Sequence, residues 1–427
     1  MPQSLTFTDN RSGKQYELPI MDGAIAAKSL QRVKVDQVDP GVVSYDPGYQ
    51  NTATTISHIT YVDGQQGILR YRGYPIEDLV GRTSYLEIAY LLILGELPTP
   101  AENETWRRRI LEQVAVALPI RKLIAAFPVS AHPMGMLISA LGALGTLYPE
   151  AKQVWDPAVR QEQMYRILGQ LPTIAAYCYA HTHGHEVPTA DTSKGYIGNF
   201  LRMMHNFGLH EEEPNPVVQD AMNVLFILHA DHEQNCSTAA MRAIGSSHAD
   251  PYSSMAGATA ALYGPLHGGA NEAVLAMLAR IKDPAEIPGF LDRVIKKEVL
   301  LMGFGHRVYR NTDPRATLIK ELAYKVFEVT GDNPLIEIAI ELENAALNMD
   351  YFQERRLYPN VDFYSGIIYQ ALGIPAEYYT LLFALARSAG WLAHWSEQLD
   401  DPAQKIARPK QIYRGAGKRD FVPLDQR

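Results

Sequence analysis

A mainly α-helical fold is predicted by three features of this sequence. From Ser84 onward apolar residues recur at helical spacing, prolines followed by helix formers mark one helix start after another, and strand-like segments are confined to the stretch before Pro75. With 427 residues the chain exceeds what one hydrophobic core usually serves, so two domains, or one large domain with an appended lobe, are expected. Its 47% hydrophobic and 20% charged content is that of a globular protein in water. A formal charge of -8 gives no electrostatic reason to expect nucleic acid or an anionic membrane as partner, although one locally basic pocket is compatible with it.

The first segments read as hairpins. Residues 5–8 and 15–20 flank the turn-forming Asp9-Asn10-Arg11-Ser12-Gly13, and residues 56–62 and 68–71 flank Asp63-Gly64-Gln65-Gln66-Gly67. Helix starts follow at Pro100, Pro157, Pro216, Pro314, Pro334 and Pro375, because the fixed φ and missing N–H of proline suit a first turn. Stops are expected at Gly95, Gly264, Gly331 and Gly373. The helix expected over 215–233 has a strongly apolar body from Val217 to Leu228 and is buried there. Its polar end, His229-Ala230-Asp231-His232-Glu233-Gln234-Asn235, is expected to open into a cleft with His229 and His232 on one face. The apolar run 134–148 holds Ser139 and three glycines and falls short of a membrane span. Residues 1–14 lack the apolar core of a signal peptide, and Cys178 and Cys236 are too few for a disulfide-dependent fold, so a cytoplasmic protein is expected.

Chemistry concentrates in three breaks between helical stretches. In Gly264-Pro265-Leu266-His267-Gly268-Gly269-Ala270-Asn271, small residues around His267 let a ligand carbonyl approach the ring, where a neutral imidazole can donate to a developing enolate; a tight helix crossing explains the glycines equally well. Gly303-Phe304-Gly305-His306-Arg307-Val308-Tyr309-Arg310 runs on to Arg315, just after Asp313-Pro314. Four basic or imidazole groups within ten residues suit a carboxylate-bearing substrate, and a solvated charge run is the alternative. In Tyr358-Pro359-Asn360-Val361-Asp362-Phe363-Tyr364-Ser365-Gly366, Asp362 is either a helix cap or a partly desolvated base. Arg387, inside an apolar stretch, needs a partner or a ligand, and Arg408 lies in an irregular segment. The string His181-Thr182-His183-Gly184-His185-Glu186 is metal-like in composition but has no second ligand group in sequence, so no metal site is expected.

Taken together, in order, and with Leu228-His229-Ala230-Asp231-His232-Glu233-Gln234-Asn235, these strings resemble the citrate synthase family over essentially the whole chain. The small β-rich start and Gly417-Lys418-Arg419-Asp420-Phe421 resemble its bacterial hexamer-forming branch. The resemblance implies a large helical domain, 1–269 and 378–427, with a β-rich segment within 1–75, and a small domain, 270–377, that close over substrate. It implies condensation of oxaloacetate with acetyl-CoA and hydrolysis of citryl-CoA, without a cofactor. His267 would hydrogen-bond the thioester oxygen, Asp362 would take the methyl proton, and His306 would polarise the ketone. Oxaloacetate would be held by His232, Arg315, Arg387 and, from a neighbouring subunit, Arg408, so a homodimer is the minimum unit and a hexamer is compatible. CoA would lie near Gly303 and Gly305, with Arg310, Arg355 and Arg356 as phosphate ligands. The basic residues and cysteine of the NADH-sensing members are missing from residues 126–134 and 206–210, so NADH inhibition is not expected. Competing readings are 2-methylcitrate synthase using propionyl-CoA, a metal-dependent hydrolase built on His181, His183, His185, His229 and His232, and a non-catalytic helical scaffold.

Overall fold

In the computed structural model, residues 3–208, 213–306, 308–331 and 334–427 are described; Arg307 and the positions 209–210 considered for NADH lie outside them. The chain forms two compact units, residues 1–56 with 408–427, and residues 57–407.

The first unit is built on the hairpin read from the sequence. Strands β1 (Ser4–Asp9) and β2 (Lys14–Met21) pair antiparallel with Leu5 opposite Leu18, and the short β3 (Ala24–Ile25) extends the sheet. Asp9 sets the turn. Its Oδ1 accepts the Arg11 backbone N–H at 3.0 Å and its carboxylate pairs with the Arg11 guanidinium, while Gly13 takes φ +70°. The 408–427 segment is exposed apart from Pro423 and holds one short helical turn, Leu424–Gln426.

The second unit opens with β4 (Thr60–Asp63), β5 (Ile68–Tyr71) and β6 (Tyr74–Pro75), an antiparallel sheet whose first turn is held by Asp63 Oδ1 accepting from Gln65 and Gln66 N–H. The strand expected from residue 56 starts only at Thr60. Among the described residues every named element after this sheet is a helix or a short helical turn. Helices begin at Pro100, Pro157, Pro216, Pro314 and Pro334 as read. Capping boxes fix the Pro100 start, through Thr99 with Glu102, and one more at Tyr85, through Ser84 with Glu87. At Pro375 the backbone is extended and leads through a turn, Ala376–Tyr378, so that helix begins at Tyr379 instead. Helices stop at Gly95 and Gly331 with positive φ, whereas Gly264 stops its helix by an extended backbone.

Two buried hydroxyls solve backbone problems that sequence alone leaves open. Pro172 sits inside the 27-residue helix Pro157–His183 and has no N–H for the carbonyl of Leu168; the Tyr196 hydroxyl donates to that carbonyl at 2.9 Å. The Pro216–His229 helix ends four residues earlier than expected. Tyr71 Oη lies 3.1 Å from Ile227 O and 3.0 Å from Asp231 O, tying off the helix end, and Glu233 takes φ +54°. His229 and His232 therefore do not share a helix face.

Helix Tyr379–Asp400 is buried almost throughout and packs on Tyr85–Leu94, Pro216–His229, Cys236–Gly245 and Pro251–Tyr263. Helices Pro314–Thr330 and Ala270–Leu278 pack on Val361–Ala371. Among the described residues no helix is long and apolar enough to cross a membrane.

Candidate active site

Three of the chain breaks meet beside the Tyr379–Asp400 helix. After the Pro216–His229 helix, the turn 230–233 is bound to that helix at Gly390, whose N–H donates to Ala230 O at 3.1 Å. A Cβ on Gly390 would stand 2.4 Å from Ala230 O and from Asp231 Oδ1, so only glycine allows this approach. Asp231 is fully buried, with Oδ2 facing His394 Nε2 at 3.2 Å and the Thr60 hydroxyl. One residue on, the His232 ring lies 5.3 Å from that of His306, and its Nε2 shares a 3.2 Å hydrogen bond with Tyr309 Oη.

Two buried guanidiniums face this point, each held differently. Arg315 opens the Pro314–Thr330 helix and is clamped by Asp313, the helix cap, with Nε to Oδ1 at 3.1 Å and Nη2 to Oδ2 at 2.8 Å. Burial works against its charge, but Asp313 outweighs it and the pKa is raised. Arg387 donates from Nε to His229 O at 2.7 Å and lies over the Phe383 ring, while its buried Nη1 has no partner among the described residues. Burial lowers Arg387 to about 10, with the Asp231 carboxylate opposing.

The two imidazoles read as catalytic are neutral for a shared reason. Burial lowers both His267 and His306 to about 4, helped by Arg387 at His267 and by Arg315 at His306. His232 is held well below its ordinary value by burial, then by Arg315, His306 and Arg387. Backbone N–H groups of Val308 and Tyr309 donate to His306 Nδ1 at 3.0 and 3.2 Å, which places the proton of the neutral ring on Nε2. His267 Nε2 lies 2.8 Å from Ser237 Oγ, which also accepts from Trp391 Nε1 at 3.1 Å and lies 2.8 Å from Asn235 Oδ1. Asp362 follows Asn360, the cap of helix Val361–Ala371, and is only partly exposed. Burial raises its pKa to about 6 against the opposing pull of Arg315 and Arg387. Thus Asp362, His267, His306, His232, Arg315 and Arg387 form one electrostatic cluster.

Other expected residues are placed differently. Gly303 and Gly305 take φ +77° and +78°, and a Cβ on Gly303 would stand 3.0 Å from Phe363 Cα. Arg310 is exposed, its backbone N–H donating to Gly64 O. Arg355 is exposed and lies over the Tyr351 ring, and Arg356, also exposed, borders the cleft beside His306 and Asn360. Arg408 is exposed and falls in the first unit. His229 is fully buried, its Nδ1 bonded to Leu225 O, and does not open into the cleft. His181 bonds to Phe127 O and His183 stacks on Tyr179; among the described residues no group of three His, Cys, Asp or Glu side chains is arranged to hold a metal.

Sequence reasoning missed Tyr309, Ser237, Asn360, Asp313 as a clamp, and the Asp231–His394 pair. The cap expected at Asp362 is Asn360 instead, and Asp313 stood before a proline read as a helix start; nothing local pointed to the other pairings.

A family model described as citrate synthase, C-terminal domain, matches residues 48–410. The chain is 51% identical to the peroxisomal citrate synthase of Dictyostelium discoideum, covering 100% of this chain and 88% of that one. It is 47% identical to citrate synthase 1 of Mycobacterium tuberculosis (strain ATCC 25618 / H37Rv) over 91% of each. Among solved structures it is similar to the citrate synthase of Thermoplasma acidophilum in ternary complex with carboxymethyl coenzyme A and oxaloacetate, with TM-score 0.83 and 33% identity, covering 90% of this chain and 100% of that one. The citrate synthase of Pyrobaculum aerophilum gives TM-score 0.82 and 37% identity, covering 88% and 94%. This chain belongs to the citrate synthase family.

Proposed function

We propose that the chain condenses oxaloacetate with acetyl-CoA and hydrolyses the resulting citryl-CoA to citrate and CoA. The observation that supports this most is the convergence of two buried guanidiniums and two neutral imidazoles on one point, beside a carboxyl whose basicity is raised. A dianion fits the guanidiniums. A weak carbon acid needs a base and an enol stabiliser together.

In this mechanism Asp362 takes a proton from the thioester methyl group while His267 donates a hydrogen bond to the thioester oxygen. Ser237, whose hydroxyl donates to Asn235 Oδ1 at 2.8 Å, lies 2.8 Å from His267 Nε2 and orients the ring. The enol carbon then attacks the ketone carbon of oxaloacetate, and the ketone oxygen takes the proton of His306 Nε2. Water finally cleaves the thioester, citrate leaves and CoA departs as thiol, while exchange with solvent removes the methyl proton from Asp362 and returns one to His306 Nε2. His232, Arg315 and Arg387 hold the carboxylates, and Gly303, Gly305, Arg310, Arg355 and Arg356 are assigned to CoA.

Closure of a small domain, 270–377, over the rest of the site belongs to the same reading. Both crossings between these parts lie side by side, as a hinge requires: Thr380 Oγ1 is 3.1 Å from Gly268 O and 2.8 Å from Glu272 Oε1.

The deciding assay is thiol release with oxaloacetate and a short acyl-CoA series, after dialysis against a chelator because the mechanism uses no metal or cofactor. Acetyl-CoA is expected to exceed propionyl-CoA in kcat/KM by about 10- to 200-fold, the usual worth of one methylene. Absence of thiol release, or preference for propionyl-CoA, would reject the assignment.

A homodimer is the proposed minimum unit, with Arg408 of a second copy completing the oxaloacetate site and further association to a hexamer compatible with it. Mixing inactive Arg408→Ala chains with inactive His306→Ala chains is then expected to restore part of the activity. Mixtures as inactive as their components refute sharing. The proposed compartment is the cytoplasm; because relatives carry peroxisomal and glyoxysomal names, co-sedimentation of the protein with organelles would overturn it.

A further inference from the structure

The polariser and the base sit on two segments that are joined to each other rather than placed independently. Phe304 and Pro359 form an isolated antiparallel bridge, Gly305 N–H donates to Tyr358 O at 2.8 Å, and Asn360 N–H donates to Gly303 O at 2.8 Å. The Asn360 side chain completes the join from both ends of its amide. Oδ1 accepts the N–H of Asp362 at 3.0 Å, and Nδ2 donates to the carbonyl of Gly305 at 2.9 Å. Only this orientation satisfies both partners, since the flipped amide would set donor against donor and acceptor against acceptor.

The Gly305 carbonyl belongs to the peptide that leads into His306. Gly305 has φ +78°, so it is a residue around which that peptide swings freely unless something holds it. We infer that Asn360 is a positioning residue that fixes the base Asp362 against the ketone polariser His306 by bridging the Asp362 amide and the Gly305 carbonyl. The inference rests on the roles given above to Asp362 and His306. It goes beyond helix capping, because a cap needs only the Oδ1 acceptor, whereas this role also needs the Nδ2 donor.

Two variants separate these roles, since serine and aspartate both keep a cap acceptor and neither can donate to Gly305 O from an amide. Asn360→Ser and Asn360→Asp are expected to melt within a few degrees of wild type and to bind oxaloacetate within threefold by calorimetry. Their kcat is expected to fall about 10- to 100-fold, the scale of a small misplacement of reacting groups. In Asn360→Asp the acid limb of kcat/KM for acetyl-CoA also moves to higher pH, because a second carboxylate adds to the groups facing Asp362, namely Arg315, Asp313, Arg387 and Tyr369. In Asn360→Ser the limb stays.

The inference is overturned if both variants keep kcat within threefold, or if kcat falls only in step with melting temperature. Asp362→Asn, assayed alongside, tells the two failures apart. An inactive Asp362→Asn beside normal Asn360 variants removes only the bridge, while an active Asp362→Asn removes the base assignment itself.

Discussion

Asp362→Asn is expected to lower kcat by ~10²–10⁴-fold, the usual worth of a positioned general base, while leaving oxaloacetate binding within threefold of wild type. Asparagine keeps the size of the side chain but cannot accept the methyl proton. The wild-type pH profile supplies the matching signature. Burial raises Asp362 to about 6, and the base works only when ionised, so kcat/KM for acetyl-CoA should fall about tenfold per unit as pH drops below about 6. His267 and His306, both near 4, remain neutral across that limb and do not contribute to it. A variant whose kcat stays within tenfold of wild type, or a limb that survives in the variant, would place the base elsewhere.

Much of the framework is legible in the sequence because it is set by local chemistry. The first hairpin follows from the Asp9–Gly13 turn, and five helices begin at the prolines that suit a first turn. What could not be read is what distant groups decide. The Pro216–His229 helix stops where Tyr71, more than 150 residues upstream, reaches its last carbonyls; helical spacing alone carried the expected end on to Glu233. At the site the same division holds. His267, His306 and Asp362 each had a structural explanation of equal standing, and only their order along the chain, matched to a family, gave them roles. Burial makes the two imidazoles neutral and Asp362 basic, helped by Arg387 at His267 and by Arg315 at His306 and opposed by both arginines at Asp362. The partners Ser237 and His394 carry no local mark at all, since serine and histidine on helices are ordinary until the fold brings them to His267 and Asp231.

Arg387→Leu is expected to weaken oxaloacetate binding by about 30-fold to several thousand-fold, the range that follows from ~2–5 kcal/mol for truncating one partner of a buried, hydrogen-bonded charge pair. Of the two guanidiniums in the cleft, Arg387 is the one with more to give a new anion. Arg315 is already clamped by both oxygens of Asp313, while Arg387 donates from Nε to His229 O and its buried Nη1 has no partner among the described residues. Its positive charge is also the one that burial disfavours most plainly, since its pKa is lowered to about 10, and a bound dianion relieves that cost. Arg387→Lys tests geometry apart from charge: the ammonium keeps the sign but cannot span two carboxylate oxygens, so an intermediate loss is expected. The leucine variant has a second consequence at Asp231, whose carboxyl is kept low by His394 and Arg387 against its burial; removing one of these charges should also lower the melting temperature. Calorimetric titration with oxaloacetate separates the effects, because a merely destabilised protein binds normally well below its melting point. Affinity within threefold of wild type at such a temperature would mean that Arg387 serves the fold and not the substrate.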